Sequence, residues 1–229
     1  MERETVSVAS SGNHVPARLA VSVILLRESS EGPVLFVQHR SATMDFAAGM
    51  VVFPGGRVDE RDSSVLNFDG GLLSKHAAAW SVCSIGEPKA ARTNAGILLA
   101  AAVREVMEEC GIALEPVVLV PWANWVTPED QPKRFDTYFY LATLPADIEP
   151  IHQTTEATSS QWTNARQIIN DELHGSLRLL PPTLTIIDEL LKSPEPAVPR
   201  TRNTKIVPVR PQPGDMEKFF RLRRRESAE

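Results

Sequence analysis

Apolar positions along the chain change period several times, and each change marks an element. Leu19 to Leu26 (LAVSVILL) and Val34 to Gln38 (VLFVQ) are β-rich runs, and the Glu-Ser-Ser-Glu-Gly-Pro between them has the residues of a turn joining two strands. Met50 to Phe53 predicts a third short strand. It stops at Pro54-Gly55-Gly56, where proline ends regular pairing and two glycines permit unusual backbone angles close to a ligand. The polar, glycine-bearing stretch from roughly Asp62 to Asn94 reads as an insertion with a short helix near Leu72 to Trp80.

Ala95 to Cys110 (AGILLAAAVREVMEEC) is the clearest helix, dense in alanine and leucine and ended by Gly111. Strand signals return at Val117 to Val120 and Phe135 to Ala142, and Gln161-Trp162-Thr163 starts another short strand. Asn164 suits the cap of a helix through Leu173 that stops at Gly175, and Pro181-Pro182 opens a last helix through about Lys192. From Ser193 the prolines at 194, 196, 199, 208, 211 and 213 precede a basic end, so residues 193–229 read as an extended, solvated tail. Strands interspersed with helices predict an α/β or α+β layered fold around one sheet, with residues 1–192 as one domain and the insertion at about 63–94.

Composition narrows the partners. At 229 residues, 42% apolar and 23% charged, the chain can bury a sizeable core. A formal net charge of −5 with no basic stripe argues against a nucleic-acid surface, and no apolar run nears the roughly 20 residues of a bilayer span. The basic segment Phe219 to Arg225 is too short to change that reading. The start, Met-Glu-Arg-Glu, lacks the features of a secretory signal, so a cytoplasmic protein acting on a small molecule is expected. Cys83 and Cys110 are too few for a disulfide scaffold and read as reduced thiols.

The candidate chemistry lies on the clearest helix. With Glu105 set at 0°, Glu109 falls near about 40° and Glu108 near about 300°, so three carboxylates share one arc. Val106, Leu99, Cys110, Val103 and Met107 fall on the opposite side as an apolar stripe. Such acids repel one another, and a bound hard cation removes the conflict. Oxygen ligands without neighbouring cysteine or histidine favour Mg²⁺ or Mn²⁺ over Zn²⁺.

Gly55-Gly56 after a strand, followed by Arg104-Glu105-Val106-Met107-Glu108-Glu109-Cys110-Gly111-Ile112, resembles the Nudix hydrolases. The family signature is Gly-x5-Glu-x7-Arg-Glu-U-x-Glu-Glu-x-Gly-U, with U a bulky aliphatic residue, and its second half is matched at every fixed position. Counted from Gly56, the first glutamate position falls on Asp62, and 41 residues rather than 7 precede Arg104, an excess of 34. Asp62, Asp59 and Glu60 are the acids available for that place.

The resemblance implies a Nudix-like α/β/α sandwich around a mixed sheet, with the insertion between the box loop and the box helix. It implies Mg²⁺ or Mn²⁺ held chiefly by Glu105 and Glu109, with Glu108 sharing a metal and a backbone carbonyl from Gly55 or Gly56. Arg104 would orient the carboxylates. Glu105 and Glu156, the latter six residues before Trp162, are both candidates for the general base. The implied reaction is hydrolysis of a phosphoanhydride in a nucleoside diphosphate derivative. The alternatives are another linked nucleoside diphosphate, such as ADP-ribose or NADH, and a catalytically silent binding module.

Arg40-Ser41 and Gly49-Met-Val-Val-Phe53-Pro54-Gly55-Gly56 resemble the upstream element of coenzyme A-hydrolysing Nudix enzymes, with Asp45 where that element usually has an arginine. The chain is closer still to the vertebrate peroxisomal Nudix hydrolases acting on coenzyme A and acyl-coenzyme A, which also carry an insertion in the box. Asn124-Trp-Val-Thr-Pro128, Arg134-Phe-Asp-Thr-Tyr-Phe139 and Leu180-Pro-Pro-Thr183 carry that likeness over about residues 19 to 192. It implies coenzyme A or an acyl derivative as substrate, with Arg40, Phe53 and Arg134, joined by Lys133, on the substrate side. The peroxisomal end signal is absent from Ser-Ala-Glu, which keeps the cytoplasmic expectation, and a homodimer is left open.

Overall fold

The computed structural model describes residues 15–44, 47–64, 67–192 and 205–226; Asp45, residues 1–14 of the expected domain and 193–204 of the expected tail lie outside them. Strands β1 (Arg18–Ser29) and β2 (Gly32–Arg40) form the expected hairpin, in register from Ser29 opposite Gly32 to Leu26 opposite Leu35. Along β1, Val21, Val23 and Leu25 point into one apolar cluster while Ile24 and Leu26 point into another. Side chains alternate across a strand, so a strand apolar at every position must be covered on both faces.

The remaining strands are β3 (Val51–Val52), β4 (Gly55–Arg57), β5 (Val120–Val126), β6 (Phe135–Thr143) and β7 (Ala157–Asn164). The sheet runs β3-β2-β1-β6-β5, with β4 paired to β1 and β7 to β2. Only the β1–β6 pairing is parallel, which makes the sheet mixed. Helices α1 (Gly70–Ala79) and α2 (Ala91–Cys110) contribute to the Val21 cluster, and α3 (Ala165–Leu173) and α4 (Pro181–Lys192) to the Ile24 cluster. The result is an α/β/α sandwich. As expected, Asn164 caps α3 by accepting from the Arg166 N–H, and the left-handed Gly111 ends α2.

Several expectations need correction. Pro116–Val118 form a short 3₁₀ turn, and the strand starts at Val120 and runs on to Val126. Pro54 does not end pairing: Gly55–Arg57 form β4 opposite Ala20–Ser22 of β1. Helix α2 starts four residues early, at Ala91. The insertion holds the short helix expected near Leu72 to Trp80, and it joins the core. Asp69 accepts from the N–H groups of Gly71 and Leu72 to start α1, and Trp80 just after it is fully buried, edge-on to Tyr138 and Tyr140 at 5.1 and 5.6 Å.

The expected solvated tail is also structured over residues 205–226. Ile206 is 6% exposed and donates its N–H to the Ala79 carbonyl; Val209 exchanges hydrogen bonds with Asn124 and Val126 on the edge of β5. Asp215–Glu226 then form α5. A free sheet edge recruits any extended segment with an apolar residue to bury, a pull that proline content alone does not reveal. Among the described residues no helix is long and apolar enough to cross a membrane.

Candidate active site

Helix α2 lies against β1 and β4, so the residues of its last two turns meet the Pro54-Gly55-Gly56 loop. Gly55 has φ of 150° and passes so close to β1 that a Cβ there would stand 2.2 Å from the Val21 carbonyl oxygen. A Cβ on Gly56 would stand 2.5 Å from Glu105 Oε1. Two residues without side chains thus let the helix acids approach the loop backbone, and the Gly55 N–H donates to Glu109 Oε2 at 2.9 Å.

The three carboxylates have different surroundings. Glu109 is 6% exposed, and its pKa is pushed up to about 7 by burial, aided by the charges of Glu105 and Glu156 and opposed by the Gly55 N–H. Glu105 is raised too, by burial, while its contact with Arg104 pulls the other way. Glu108 is about half exposed and pairs with Arg61 at 3.1 Å. The shared arc therefore does not bring shared exposure, because β4 and its loop cover Glu109. The apolar stripe is corrected at Met107, which is 42% exposed.

Arg104 ties the acids to the loop. Its Nε and one Nη donate to the two oxygens of Asp62 at 2.7 and 2.9 Å, the other Nη donates to Glu105 at 2.7 Å, and the Arg57 carbonyl accepts at 2.9 Å. Asp62 is 2% exposed and accepts the Asp59 N–H at 2.7 Å. Of the three acids available for the first motif glutamate, Asp62 is the one that reaches Arg104, while Asp59 faces Arg61 near the surface. The 34 extra residues leave the chain after that contact and return through α1 to the start of α2, so the insertion lengthens the connection without displacing the contact.

Glu105, Glu108 and Glu109 line one cavity of about 1510 Å³ together with Gly55, Gly56, Arg104, Glu156 and Arg40. Glu156 stands where β7 begins and is bound by Arg40 at 3.1 Å. Phe53 reaches the cavity from the apolar cluster beneath and is 3% exposed. Arg134 also borders the cavity, but it is 7% exposed and donates to the carbonyls of Thr127 and Val15, so its guanidinium braces backbone. Pro211 and Met216 line the cavity as well, although the sequence marked Pro211 only as part of a solvated tail and did not single out Met216.

The donor set suits a hard divalent cation. Buried carboxylate oxygen, with no cysteine or histidine among the described residues lining the cavity, matches Mg²⁺ or Mn²⁺ chemistry, and Glu109, whose pKa burial pushes up to about 7, is a group that a cation would ionise. Among the described residues no three acidic, histidine or cysteine side chains already converge as a ligand cluster.

The arrangement has counterparts in known proteins. A crystal structure of a Nudix hydrolase from Alicyclobacillus acidocaldarius superposes over 84% of this chain and 98% of its own, with a TM-score of 0.64 and 23% identity. The fold is that of the Nudix hydrolases. The Nudix domain of Shewanella oneidensis NrtR, solved with ADP-ribose, matches over 80% of this chain and 92% of its own at 13% identity and a TM-score of 0.51. In sequence, a Caenorhabditis elegans protein provisionally named nudix hydrolase 7 is 27% identical over 178 residues, which cover 72% of this chain and 57% of that protein. The chain thus spans little over half the length of that relative. No family model matches the chain.

Proposed function

We propose that this protein is a divalent-cation-dependent hydrolase of a phosphoanhydride in a nucleoside diphosphate derivative. The observation that carries the reading is the meeting of Glu105 and Glu109 with the Gly55-Gly56 backbone inside the cavity. Glu105, Glu108, Glu109 and a carbonyl of Gly55 or Gly56 are the groups that would hold Mg²⁺ or Mn²⁺, which offsets phosphate charge and lowers the pKa of bound water. Arg104 holds Glu105 in place through its shared fork. Glu105 and Glu156 both face the cavity and are the carboxylates available to take the proton of the attacking water.

The finer reading is coenzyme A or an acyl-coenzyme A as substrate. Its support is that segments carrying the sequence likeness gather on one cavity: Arg40, Phe53, Trp125 to Pro128 and Leu180 to Thr183 all line it. Purified protein offered coenzyme A, ADP-ribose, NADH and nucleoside triphosphates with Mg²⁺ or Mn²⁺ tests both levels. Coenzyme A cleavage to 3′,5′-ADP and a phosphopantetheine, lost in Glu109→Gln, is expected. Turnover of only the other substrates would overturn the finer reading, and metal-dependent turnover of none would leave a binding module. Glu105→Gln and Glu156→Gln, compared by pH–rate profile, identify the base.

A further inference from the structure

The cavity that holds the acids is lined in part by the C-terminal segment. Pro211 and Met216 border it, as do Leu180 just before α4 and Pro182 in its first turn. This segment is held along its length. The Val209 N–H donates to Asn124 and its carbonyl accepts from Val126, both at 2.9 Å, and the Gly214 N–H donates to Asp130 Oδ2 at 2.7 Å. At the far end of α5, Arg223 Nε donates to Glu172 Oε1 on α3 at 2.9 Å, and Arg178 lies over the Phe220 ring. One end of α5 is therefore fixed to the β5–β6 connection and the other to α3 and the α3–α4 connection. The residues beside both anchors, Trp125 to Pro128 and Leu180 to Pro182, border the same cavity, and α5, a strap between the anchors, reaches it through Met216.

The spacing within α5 agrees. Met216, Phe219, Phe220 and Arg223 are partly buried, whereas Glu217, Lys218, Arg221 and Leu222 are exposed. Positions i, i+3, i+4 and i+7 share one face of a helix, so α5 turns Met216 inward with its aromatic neighbours. Methionine fills an irregular apolar surface adaptably, and the prolines around it add no charge.

We propose that this strap is a specificity wall: Met216 and Pro211, with Leu180 and Pro182, receive an apolar group carried on the substrate diphosphate. The proposal rests on the hydrolase reading for its orientation, with the diphosphate at Glu105 and Glu109 and the apolar group directed toward α5.

ADP esterified on its terminal phosphate with a hexyl or a methyl group supplies the test, because the two probes differ only in the apolar part. Hydrolysis breaks the P–O–P bridge, with water providing the oxygen and two protons, and releases AMP and the alkyl phosphate. In the full chain, Met216→Asp is expected to raise KM for the hexyl ester about ten-fold or more with a much smaller change in kcat, while Met216→Leu restores it. Asp130→Asn, which loosens the strap, is expected to move the hexyl-to-methyl ratio of kcat/KM in the same direction. Without metal, hydrogen exchange should show the hexyl ester protecting α5 amides more than the methyl ester does. An unchanged KM ratio in Met216→Asp together with unprotected α5 amides would overturn the wall. Failure of wild type to hydrolyse either ester while α5 is still protected would count against the hydrolase reading and keep the wall.

Discussion

At Arg104 one guanidinium serves three carboxylates: Asp62 takes two of its N–H groups, and the remaining Nη donates to Glu105 at 2.7 Å and to Glu108 at 3.4 Å. Lysine is a point charge and cannot span these partners. Arg104→Lys is therefore expected to leave Glu105 mobile and to lower kcat about 10- to 100-fold, in line with the loss of groups that orient metal ligands, as steady-state kinetics on the best substrate would show. Equal kcat in the variant would sink the positioning role. The acids themselves were legible from spacing, since i, i+3 and i+4 place them on one arc. Their unequal burial was not, because it depends on which side of α2 a three-residue strand covers.

His76 offers a residue-scale test away from the site. It is fully buried and stacked on Tyr140 at 5.7 Å, and burial, helped by the charge of Lys75, lowers its pKa to about 4 from an ordinary 6.5. Between those values the unfolded chain binds a proton that the folded chain refuses, so His76 lowers stability as pH falls through that window. Glu109 acts in the opposite sense in the metal-free protein. Its folded pKa of about 7 exceeds the ordinary 4.5, so its contribution is present at low pH and declines as pH rises toward 7. The clean readout is a difference between proteins. Wild type compared with His76→Leu in urea should lose about 2 kcal/mol more on going from about pH 7 to about pH 5, and parallel pH dependence in the two would refute it.

At the scale of elements, the two glycines of the loop separate stability from activity. A Cβ at Gly55 meets backbone, the Val21 carbonyl at 2.2 Å, in a conformation with φ of 150°. Backbone of a central strand does not yield, so Gly55→Ala should cost about 2–4 kcal/mol in unfolding experiments. A Cβ at Gly56 meets the end of a side chain, the Glu105 carboxylate, which can swing away at little structural cost. Gly56→Ala should keep most of its stability and lose about 10- to 100-fold in kcat. If both variants lost stability alike, the loop would be a packing feature only. The long elements were legible because apolar periodicity is strong in β1, β6 and α2. Strand β4 was not: Gly-Gly-Arg has no β preference, and its pairing exists because β1 offers an edge at Ala20 to Ser22. Val117 and Val118 failed in the other direction, as β-branched residues that Pro116 draws into a 3₁₀ turn.

The whole molecule closes through parts that composition marked as peripheral. Trp80 of the insertion packs against the sheet, Ile206 docks on the Ala79 carbonyl, and α5 ends on Glu172 of α3, so one continuous surface joins the insertion, the sheet edge and the far helix layer. Nothing in the local sequence around residue 206 or 223 names those distant partners. The Glu172–Arg223 pair tests whether this closure matters. The Glu172 side chain is 5% exposed and that of Arg223 21%, so the pair sits where desolvation cancels much of its Coulomb attraction. Removing only the cation leaves a buried carboxylate without its partner. Arg223→Met should therefore lower the unfolding free energy by about 2–4 kcal/mol, read from urea midpoints at constant m. Adding Glu172→Gln removes the stranded charge and should recover more than half of that loss. Unchanged stability in Arg223→Met would mean that α5 is held by its apolar face alone, and equal destabilisation in the single and double variants would mean that the loss comes from the Arg223 side chain's own contacts and not from a stranded Glu172 charge.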